Sequence, residues 1–346
     1  MKRVKTALVG LGRIGWGYHL PSIAEHEGFE LCAVVDVSED RLAEAKEKYD
    51  ARGYTELDTM LAQEKPELVV IASPTHLHRE HAVQALRAGA DVFLDKPMAP
   101  SYEDASAIAD VAQACGRKLM IYQPHRAVPE TVVLKRIFES GKLGEIYMIK
   151  RAVSSYERRN DWQTLKKFGG GMLNNYGAHY IDQMVYLTED TVKSHYCRCH
   201  RVATLGDAED VVKIVLEMTE GITVDIDINC ATAYPIPAWM IFGKCGTVVY
   251  EGDGWVKGEF KVRYYNPKQV KERKVDESLA AAGRAYSTDA PLPWVEETYP
   301  VQQEEKIDFY AKCYEYFAED KEPFVPLGET LNLMRLIQQM HAEQKV

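Results

Sequence analysis

Apolar residues in the first third of the chain form short continuous runs that alternate with segments of helical spacing. The β-branched runs predict strands at Val4–Val9, Leu31–Val35, Leu68–Ser73, Ala90–Leu94 and Lys118–Tyr122, with a further short piece around Tyr54. Helices are predicted at Ser38–Lys48, His76–Ala88 and Ser101–Ala114. Strands that are apolar on both faces and separated by helices indicate a parallel sheet covered on both sides.

The pattern changes after Pro124. Alternating apolar and polar residues now predominate, as is typical of antiparallel strands with one buried face. Such strands are predicted at Ile146–Ser155, Val192–Val202, Asp210–Met218, Thr223–Cys230, Trp239–Tyr250 and Glu259–Tyr265, with a hairpin turn at Glu220-Gly221. Helical spacing occurs at residues 128–140, 172–187, 302–318 and from 328 onward, and residues 266–300 are predicted to be an irregular insertion.

These patterns predict an α/β fold in two domains, and 346 residues suffice for two at about 150 residues each. Residues 1–122 are expected to form a doubly wound parallel sheet. Residues 123–346 are expected to form an α+β domain with a large, mostly antiparallel open sheet.

Charge and cysteine content exclude several classes of protein. The 42 Lys and Arg against 52 Asp and Glu give a net charge of −10, which disfavours binding to nucleic acid or an anionic membrane. Seven scattered cysteines predict a reducing compartment rather than a disulfide framework. The sequence has no apolar stretch of about 18 residues that would span a bilayer, so we expect a cytoplasmic protein.

A glycine-rich turn, Gly10-Leu11-Gly12-Arg13-Ile14-Gly15, follows the first predicted strand and opens a helical segment. Glycines permit a tight turn and let the backbone approach a pyrophosphate at a helix N-terminus. Asp36 ends the next strand, where a carboxylate accepts both ribose hydroxyls of an adenosine and repels a 2′-phosphate. The arrangement predicts a dinucleotide site and favours NAD over NADP. Its cofactor-binding candidates are Gly10, Gly12, Arg13, Ile14, Gly15 and Asp36.

Further motifs follow in a fixed order along the chain. They are Ala72-Ser73-Pro74-Thr75-His76-Leu77-His78, Asp95-Lys96-Pro97, Gly169-Gly170-Gly171 with Gly177-Ala178-His179-Tyr180-Ile181-Asp182, and Phe242-Gly243-Lys244-Cys245-Gly246-Thr247. Together with the glycine turn they resemble the glucose–fructose oxidoreductase, inositol dehydrogenase and rhizopine-catabolism (Gfo/Idh/MocA) family of NAD(P)-dependent enzymes across nearly the whole chain. The resemblance implies a Rossmann domain and an α+β domain whose open sheet mediates oligomerisation, hence a homodimer or homotetramer.

Lys96 is the first candidate catalytic residue. It follows a predicted strand at its carboxyl end, where open α/β sheets bind ligands, and Pro97 restricts it to an extended conformation. The resemblance implies that this lysine binds the reacting hydroxyl and helps its deprotonation; a solvated surface lysine is the alternative. Asp95, a cofactor-binding candidate, stands where the family usually has Glu, and its carboxylate reaches one methylene less far toward the cofactor.

His179 is the second catalytic candidate. It follows Asn175 by four residues on a predicted helix, so the two side chains share one face. A neutral imidazole suits removal of a hydroxyl proton, although most helical histidines are only packed or exposed. The family usually has Asp at position 175; Asn175 can orient the imidazole without neutralising its charge, and we assign it to a substrate hydroxyl. Asp182 is either the partner of His179 or a helix–sheet contact.

Other candidates follow predicted strands or precede the three glycines. In the family, the loop after the third clear strand runs beside the ribose and nicotinamide, which implies cofactor contacts for Ser73, Thr75 and His76. Substrate contacts are expected where the domain cleft begins and next to the glycines, from Gln123, Arg126 and Trp162. Arg158 and Arg159 either bind a carboxylate or phosphate or belong to a solvated loop.

No metal site is predicted, although two groups of metal-ligand residue types occur. His76, His78 and His81 start a helix, which does not present all three on one face. A second group, His195, Cys197 and Cys199, shares one side of a strand but lacks a second ligand pair nearby. Sheet packing is therefore favoured over zinc.

The sequence therefore predicts an NAD-dependent oxidoreductase acting on a secondary alcohol of a sugar, sugar derivative or cyclitol. Two alternatives stay open: a dihydrodiol or small-carbonyl oxidoreductase, and a non-catalytic dinucleotide-sensing regulator. The presence of Lys96 and His179 favours an enzyme. Asn175, in place of the family's usual Asp, keeps the non-catalytic regulator as an alternative. The expected partner is a small molecule, with neither nucleic acid nor membrane involved.

Overall fold

The computed structural model describes residues 2–252, 258–271 and 291–344. Its first sheet consists of β1 Val4–Val9, β2 Phe29–Val35, β3 Arg52–Tyr54, β4 Leu68–Ile71, β5 Asp91–Asp95 and β6 Leu119–Tyr122. All six strands are parallel, in the order β3-β2-β1-β4-β5-β6. The strand order reverses between β1 and β4, and ligands of such sheets bind at the carboxyl ends of the strands at this point.

Helices cover both faces of the first sheet. They are α1 Leu20–Glu25, α2 Glu39–Tyr49, α3 Leu57–Glu64, α4 His78–Arg87 and α5 Tyr102–Cys115. Along β1, Ala7 and Val9 belong to one buried cluster and Leu8 to another, because successive side chains point to opposite faces. Ser38 caps α2 by accepting from the backbone N–H of Arg41, as the sequence predicts.

The second sheet has eight strands. They are β7 Ile146–Ser154, β8 Val192–His200, β9 Val211–Met218, β10 Thr223–Asn229, β11 Trp239–Gly243, β12 Gly246–Gly252, β13 Gly258–Tyr264 and β14 Val295–Val301. Their order is β14-β13-β12-β11-β7-β10-β9-β8, with a parallel pair, β7 and β10, among antiparallel neighbours. The prediction of a parallel sheet followed by a large, mostly antiparallel one is confirmed.

Two strand predictions in this sheet differ from the structure. The run predicted as one strand, Trp239–Tyr250, is the hairpin of β11 and β12, which turns at Lys244 and Cys245. The predicted irregular insertion contains β14, while residues 272–290 lie outside the described part of the chain. Because β14 is an edge strand, its side chains are exposed or only half-buried, and its sequence lacks the apolar alternation of a buried strand.

The part of the chain that the structure describes has four further α-helices: α6 Pro129–Glu139, α7 Ala178–Thr188, α8 Phe309–Glu319 and α9 Leu327–Glu343. Helices α6, α7 and α9 pack on one face of the second sheet. Helix α8 instead returns to the first sheet, where Phe309, Tyr310 and Cys313 join its core. It begins later than predicted, because Asp308 caps it by accepting from the backbone N–H groups of Tyr310 and Ala311.

All described strands of the first sheet end at or before the predicted boundary at residue 122 and all described strands of the second follow it, but α8 and α9 from beyond that residue contribute to the core of the first sheet. Helix α9 contacts both sheets, because Leu333 and Ile337 pack on the second sheet and Met334 joins the core of the first. Among the described residues, no helix is long and apolar enough to cross a membrane.

Candidate functional site

The glycine turn lies where β1 ends beside β4. Gly10 has φ of +94°, and a Cβ there would lie 2.7 Å from the carbonyl oxygen of Ala72. A Cβ on Gly12, in contrast, would meet no described atom within 4 Å. Gly10 is therefore needed for the fold of the turn, whereas Gly12 keeps an open surface beside the backbone. An open glycine face at this position fits the approach of a pyrophosphate.

The Asp36 carboxylate is fixed against this turn. Its Oδ2 accepts the backbone N–H of Leu11 at 2.7 Å, and its Oδ1 accepts the backbone N–H of Ser38 at 3.0 Å. The Arg41 guanidinium lies 3.5 Å from Oδ2. Only 8% of Asp36 is exposed, so the carboxylate is held at the end of β2 beside the open glycine. These residues fit the adenosine end of a dinucleotide.

The loop after β4 is tied to the loop after β5 by His78. Its two ring nitrogens lie 2.8 Å from the carbonyl oxygen of Ser73 and 2.9 Å from that of Pro97, and burial lowers its pKa to about 4. The Ser73 hydroxyl pairs with His81 at 2.9 Å. The third histidine of this group, His76, is exposed and contacts the ring of Phe168. The three neighbouring histidines thus make different contacts.

Thr75 is the remaining candidate of this loop, and it is buried. A Cβ on Gly169 would lie 3.9 Å from its Cγ2, so the loop after β4 faces the triple-glycine loop of the second half. The contact of His76 with Phe168 occurs at the same junction. The structure therefore brings two motifs together that are far apart in sequence.

Lys96 reaches across the junction between the two halves. Its Nζ donates to the side-chain Oδ1 of Asn175 at 2.8 Å and to the backbone oxygen of Asn175 at 3.3 Å. Burial lowers the pKa of Lys96 to about 8, against the opposing effect of Asp95. The Asp95 carboxylate accepts the backbone N–H of Lys96 at 2.8 Å, and burial raises the pKa of Asp95 to about 6. The Lys96–Pro97 peptide bond is cis.

His179 lies on the first turn of α7, after an irregular helical turn at Leu173–Gly177. Its ring centroid is 4.1 Å from that of His125, and 7% of the residue is exposed. Burial holds the pKa of His179 well below its usual range, and Lys96 and His125 lower it further. Among the described residues, its buried Nδ1 has no hydrogen-bond partner. The imidazole is therefore neutral at ordinary pH.

Arg126, a predicted substrate contact, is buried and bound to carboxylates of the protein. Its Nε and Nη2 donate to the two oxygens of Asp182 at 2.8 and 2.6 Å, and Nη2 also donates to Glu329 at 2.6 Å. Its Nη1 donates to the backbone oxygen of Phe324 at 3.3 Å, and 1% of the residue is exposed. All three guanidinium nitrogens are thus engaged inside the protein. Asp182 is consequently the partner of Arg126, so the alternative of a His179–Asp182 pair is not what the structure contains.

The remaining substrate candidates, Gln123 and Trp162, differ in their exposure. Gln123 is buried, and its Oε1 has no hydrogen-bond partner among the described residues. Trp162 is 39% exposed at the start of a short turn, Trp162–Thr164. Its neighbour Asp161 accepts from Arg159 Nη2 at 2.6 Å and lies 3.8 Å from Arg13 of the glycine turn. This loop therefore meets the glycine turn across the cleft.

Two residues of the site were not predicted from the sequence. His125 packs against His179, and its only sequence signal is its place between Gln123 and Arg126 after β6. Arg151 on β7 is buried, with its guanidinium carbon 4.1 Å from the ring centroid of Tyr180, the residue after His179. A single arginine within a predicted strand does not indicate a buried position beside the site, so the sequence alone could not identify Arg151.

Two family models match the chain. Residues 4–123 match the model described as oxidoreductase family, NAD-binding Rossmann fold, and residues 131–249 match the GFO/IDH/MocA C-terminal domain. The first segment contains Lys96 and the second contains Asn175 and His179. The two models thus cover the sequences that form the junction.

Curated relatives match over part of their length. An uncharacterized oxidoreductase of Schizosaccharomyces pombe is 31% identical over 226 residues, which are 62% of this chain and 60% of that protein. An inositol 2-dehydrogenase of Salmonella typhimurium is 29% identical over 243 residues, 67% of this chain and 70% of that protein. The chain thus spans about 60% of the length of the first of these relatives.

Similarity to solved structures extends over nearly the whole chain. An NAD-binding protein from Listeria innocua superposes with a TM-score of 0.83 at 26% sequence identity. The superposition covers 99% of this chain and 97% of that one. The arrangement of both sheets is therefore shared, including their junction.

Proposed function

The chain belongs to the GFO/IDH/MocA family of oxidoreductases, and on that premise we propose that it is an NAD-dependent enzyme acting on sugars, sugar derivatives or cyclitols. A secondary alcohol of the substrate would be interconverted with the ketone. One observation supports the proposal most directly: Lys96, Asn175 and His179 lie close together at the carboxyl edge of the dinucleotide-binding sheet.

The residues that would hold the cofactor are those around β1, β2 and β4. Gly12 offers an open backbone surface for the pyrophosphate, and the fixed Asp36 carboxylate is placed to accept ribose hydroxyls. The same carboxylate disfavours a 2′-phosphate, which supports NAD as the cofactor rather than NADP. When bound, the nicotinamide supplies the hydride acceptor or donor for the substrate carbon.

Lys96 and His179 are proposed to handle the proton of the reacting hydroxyl. Alcohol oxidation requires loss of this proton, and a base works best when its pKa lies near the operating pH. The Lys96 pKa of about 8 meets that condition, and Asn175 orients its ammonium through a 2.8 Å hydrogen bond. The neutral His179 imidazole is the second proposed acceptor, and a weaker base than Lys96, because burial holds the pKa of His179 well below its usual range. Asn175, Gln123 and Trp162 are proposed substrate contacts.

We further propose that the protein acts in the cytoplasm on a small molecule and assembles through its second sheet as a homodimer or homotetramer. The support is the sheet face opposite α6, α7 and α9, which no described helix covers. Family membership supports a small-molecule substrate, because the S. typhimurium relative is an inositol 2-dehydrogenase.

The proposal is tested by initial rates of NADH formation with neutral sugars, glycosides, inositols, aromatic diols and small carbonyl compounds, each with NAD and NADP. We expect a sugar, glycoside or inositol to respond with NAD. A response limited to aromatic diols or small carbonyls would favour that alternative. Tight NAD binding with no turnover of any compound would favour a dinucleotide-sensing regulator.

The role of Lys96 has its own test in the same assay. Because a base must be unprotonated to accept a proton, kcat/KM for oxidation should rise about tenfold per pH unit up to about pH 8 and then level. Lys96→Met should remove this limb and lower turnover by about 100-fold or more, while NAD binding measured by fluorescence quenching stays intact. Near-normal turnover of that variant would refute the assignment.

A further inference from the structure

We propose that His341, on the last turn of α9, is a positioning residue for the proposed reaction. Acting through Asn174, it fixes the irregular turn that carries Asn175, the hydrogen-bond acceptor of Lys96. The inference rests on the proposed function and deepens it, because α9 carries none of the candidate site residues. Its basis is a series of hydrogen bonds that leads from α9 to the Lys96 ammonium.

The Asn174 side chain connects the triple-glycine loop to α9. Its Nδ2 donates to the backbone oxygen of Gly169 at 3.0 Å and to that of Gly170 at 3.4 Å. Its Oδ1 lies 2.9 Å from Nε2 of His341, a residue 167 positions further along the chain. Because an amide oxygen can only accept, Nε2 carries the hydrogen and donates. One amide thus holds the glycine loop and the helix together.

The protonation state of His341 makes it a fixed donor. Burial lowers its pKa, and the charge of Lys166 lowers it further. The half-buried ring is therefore neutral at pH 7 and above, and a neutral imidazole has a single N–H. The acceptor Oδ1 of Asn174 places that hydrogen on Nε2.

The turn after the glycine loop determines where the Lys96 ammonium lies. Both described hydrogen bonds of Nζ go to Asn175, one to Oδ1 at 2.8 Å and one to the backbone oxygen at 3.3 Å. Because one acceptor is a backbone atom, the ammonium follows the position of the turn itself and not only the rotamer of Asn175. A shift of the turn would therefore move the proposed proton acceptor.

Other bonds hold the start of this turn, so His341 is not needed for it to form. The Glu209 carboxylate accepts the backbone N–H of Leu173 at 3.1 Å, and the backbone oxygen of Glu209 accepts that of Met172 at 3.1 Å. The backbone N–H of Asn175 donates to Gly171 at 3.0 Å. We therefore expect a variant at His341 to loosen the turn without unfolding it.

The end of α9 is also anchored independently of His341. Gln344 accepts the backbone N–H of Cys199 at 2.9 Å and donates to the backbone oxygen of Cys197 at 3.2 Å, both on β8. The Glu343 carboxylate lies 3.1 Å from Nε2 of His195 on the same strand. His195 thus contacts the same helix end through a partner other than Asn174, which makes it a matched control.

The first test measures the turn directly, by hydrogen–deuterium exchange of residues 169–177. His341→Phe keeps a ring but has no donor, and its amides in this segment should exchange about 2- to 10-fold faster, as expected for one lost hydrogen bond. His341→Gln presents a side-chain N–H in place of Nε2 and should restore the parent rates. His195→Phe should leave exchange in this segment unchanged.

The second test measures turnover of the panel compound that the parent oxidises fastest. His341→Phe should lower kcat by about 10- to 100-fold, because a small displacement of a reacting group is costly. Its Kd for NAD should stay within about twofold of the parent value, and His341→Gln should recover kcat to within about threefold. In a Lys96→Met background, His341→Phe should lower the residual rate by less than about twofold, because its effect acts through Lys96.

Parent-like exchange and turnover of His341→Phe would overturn the inference and leave the proposed function standing. Equal effects of His195→Phe, no recovery with His341→Gln, or a full additional loss in the Lys96→Met background would also overturn it, because each indicates general loosening of the structure. If the parent oxidises no panel compound, the proposed function fails, and the exchange comparison alone decides whether His341 fixes the turn.

Discussion

Gly10 and Gly12 occupy the same turn but are required for different reasons. Gly10 has a backbone conformation that side chains rarely adopt, and a Cβ there would lie 2.7 Å from a backbone oxygen. Gly12 has no such restriction, and a Cβ there would point into open space. One glycine therefore serves the fold of the protein, and the other serves its proposed ligand.

A pair of alanine variants separates these requirements. Gly10→Ala should lower the free energy of unfolding by about 1–3 kcal/mol or more, because of backbone strain and the close contact. Gly12→Ala should keep the parent melting temperature but weaken NAD binding at least about tenfold, because the methyl group occupies the surface offered to the pyrophosphate. Thermal unfolding and NAD titration of both variants provide the measurements, and an equal loss of stability in the two would contradict this division.

Single residues whose role depends on the local backbone can be identified from the sequence. The glycine turn, Asp36 and Lys96 all follow a strand end, and the structure places each at the carboxyl edge of the first sheet. Arg126 follows a strand end too, but its partners Asp182 and Glu329 come much later in the chain. No local pattern shows that a guanidinium will be buried among carboxylates, so these contacts of Arg126 could not be predicted from the sequence.

Helix α7 carries the proposed proton acceptor and is held to the first sheet by the cluster of Arg126, Asp182 and Glu329. Arg126 follows β6, Asp182 lies on α7 and Glu329 on α9, so three elements meet at one guanidinium. Its side chain and that of Asp182 are both almost completely buried. The cluster therefore fixes where α7 lies against the nucleotide-binding half.

Replacing Arg126 with an uncharged residue should therefore lower the free energy of unfolding. Arg126→Met leaves the Asp182 carboxylate buried without its partner, which should cost about 3–5 kcal/mol of unfolding free energy. Arg136→Met on α6 is the control, because its ion pair with Glu305 is half exposed and should contribute less than about 1 kcal/mol. Urea unfolding of the two variants provides the comparison; similar midpoints would show that the buried cluster is unimportant.

Elements with a strong apolar period can be predicted well, and those stabilised by distant partners cannot. The strands of the first sheet and the hairpin at Glu220-Gly221 follow from local spacing. Strand β14 has few apolar residues and, among the described strands, pairs with β13 alone, so nothing in its own sequence distinguishes it from a loop. Helix α3 is eight residues long, too short for its period to stand out.

At the scale of the whole molecule, the outer face of the second sheet is its largest candidate interface. Tyr196 on β8 is 58% exposed and pairs with Val215 on β9, on the face opposite the buried Cys197 and Ile214. Further half-buried apolar side chains continue across this face at Met148, Met240, Phe242 and Val249. Between Tyr196 and this group lie the charged residues Lys213, Asp225 and Asp227, so the face carries two apolar patches rather than one continuous surface. Exposed apolar patches are typical of subunit contacts.

A charge on this face should disturb assembly. We expect the parent protein to be a dimer or tetramer by light scattering after size-exclusion chromatography, and Tyr196→Asp to shift it toward the monomer. Tyr234→Asp is the control, because Tyr234 is 84% exposed on a loop away from the strands. A monomeric parent, or equal dissociation of both variants, would contradict the proposed interface.

The return of α8 to the first sheet has a consequence for biosynthesis. Phe309, Tyr310 and Cys313 complete the core on one face of a sheet whose strands all lie before residue 123. While the ribosome makes the second sheet, Leu8 and Phe93 on that face lack this cover, and transiently exposed apolar surface favours aggregation. The half of the protein that is translated first is therefore completed last, because one face of its sheet lacks apolar cover until α8 has been synthesised.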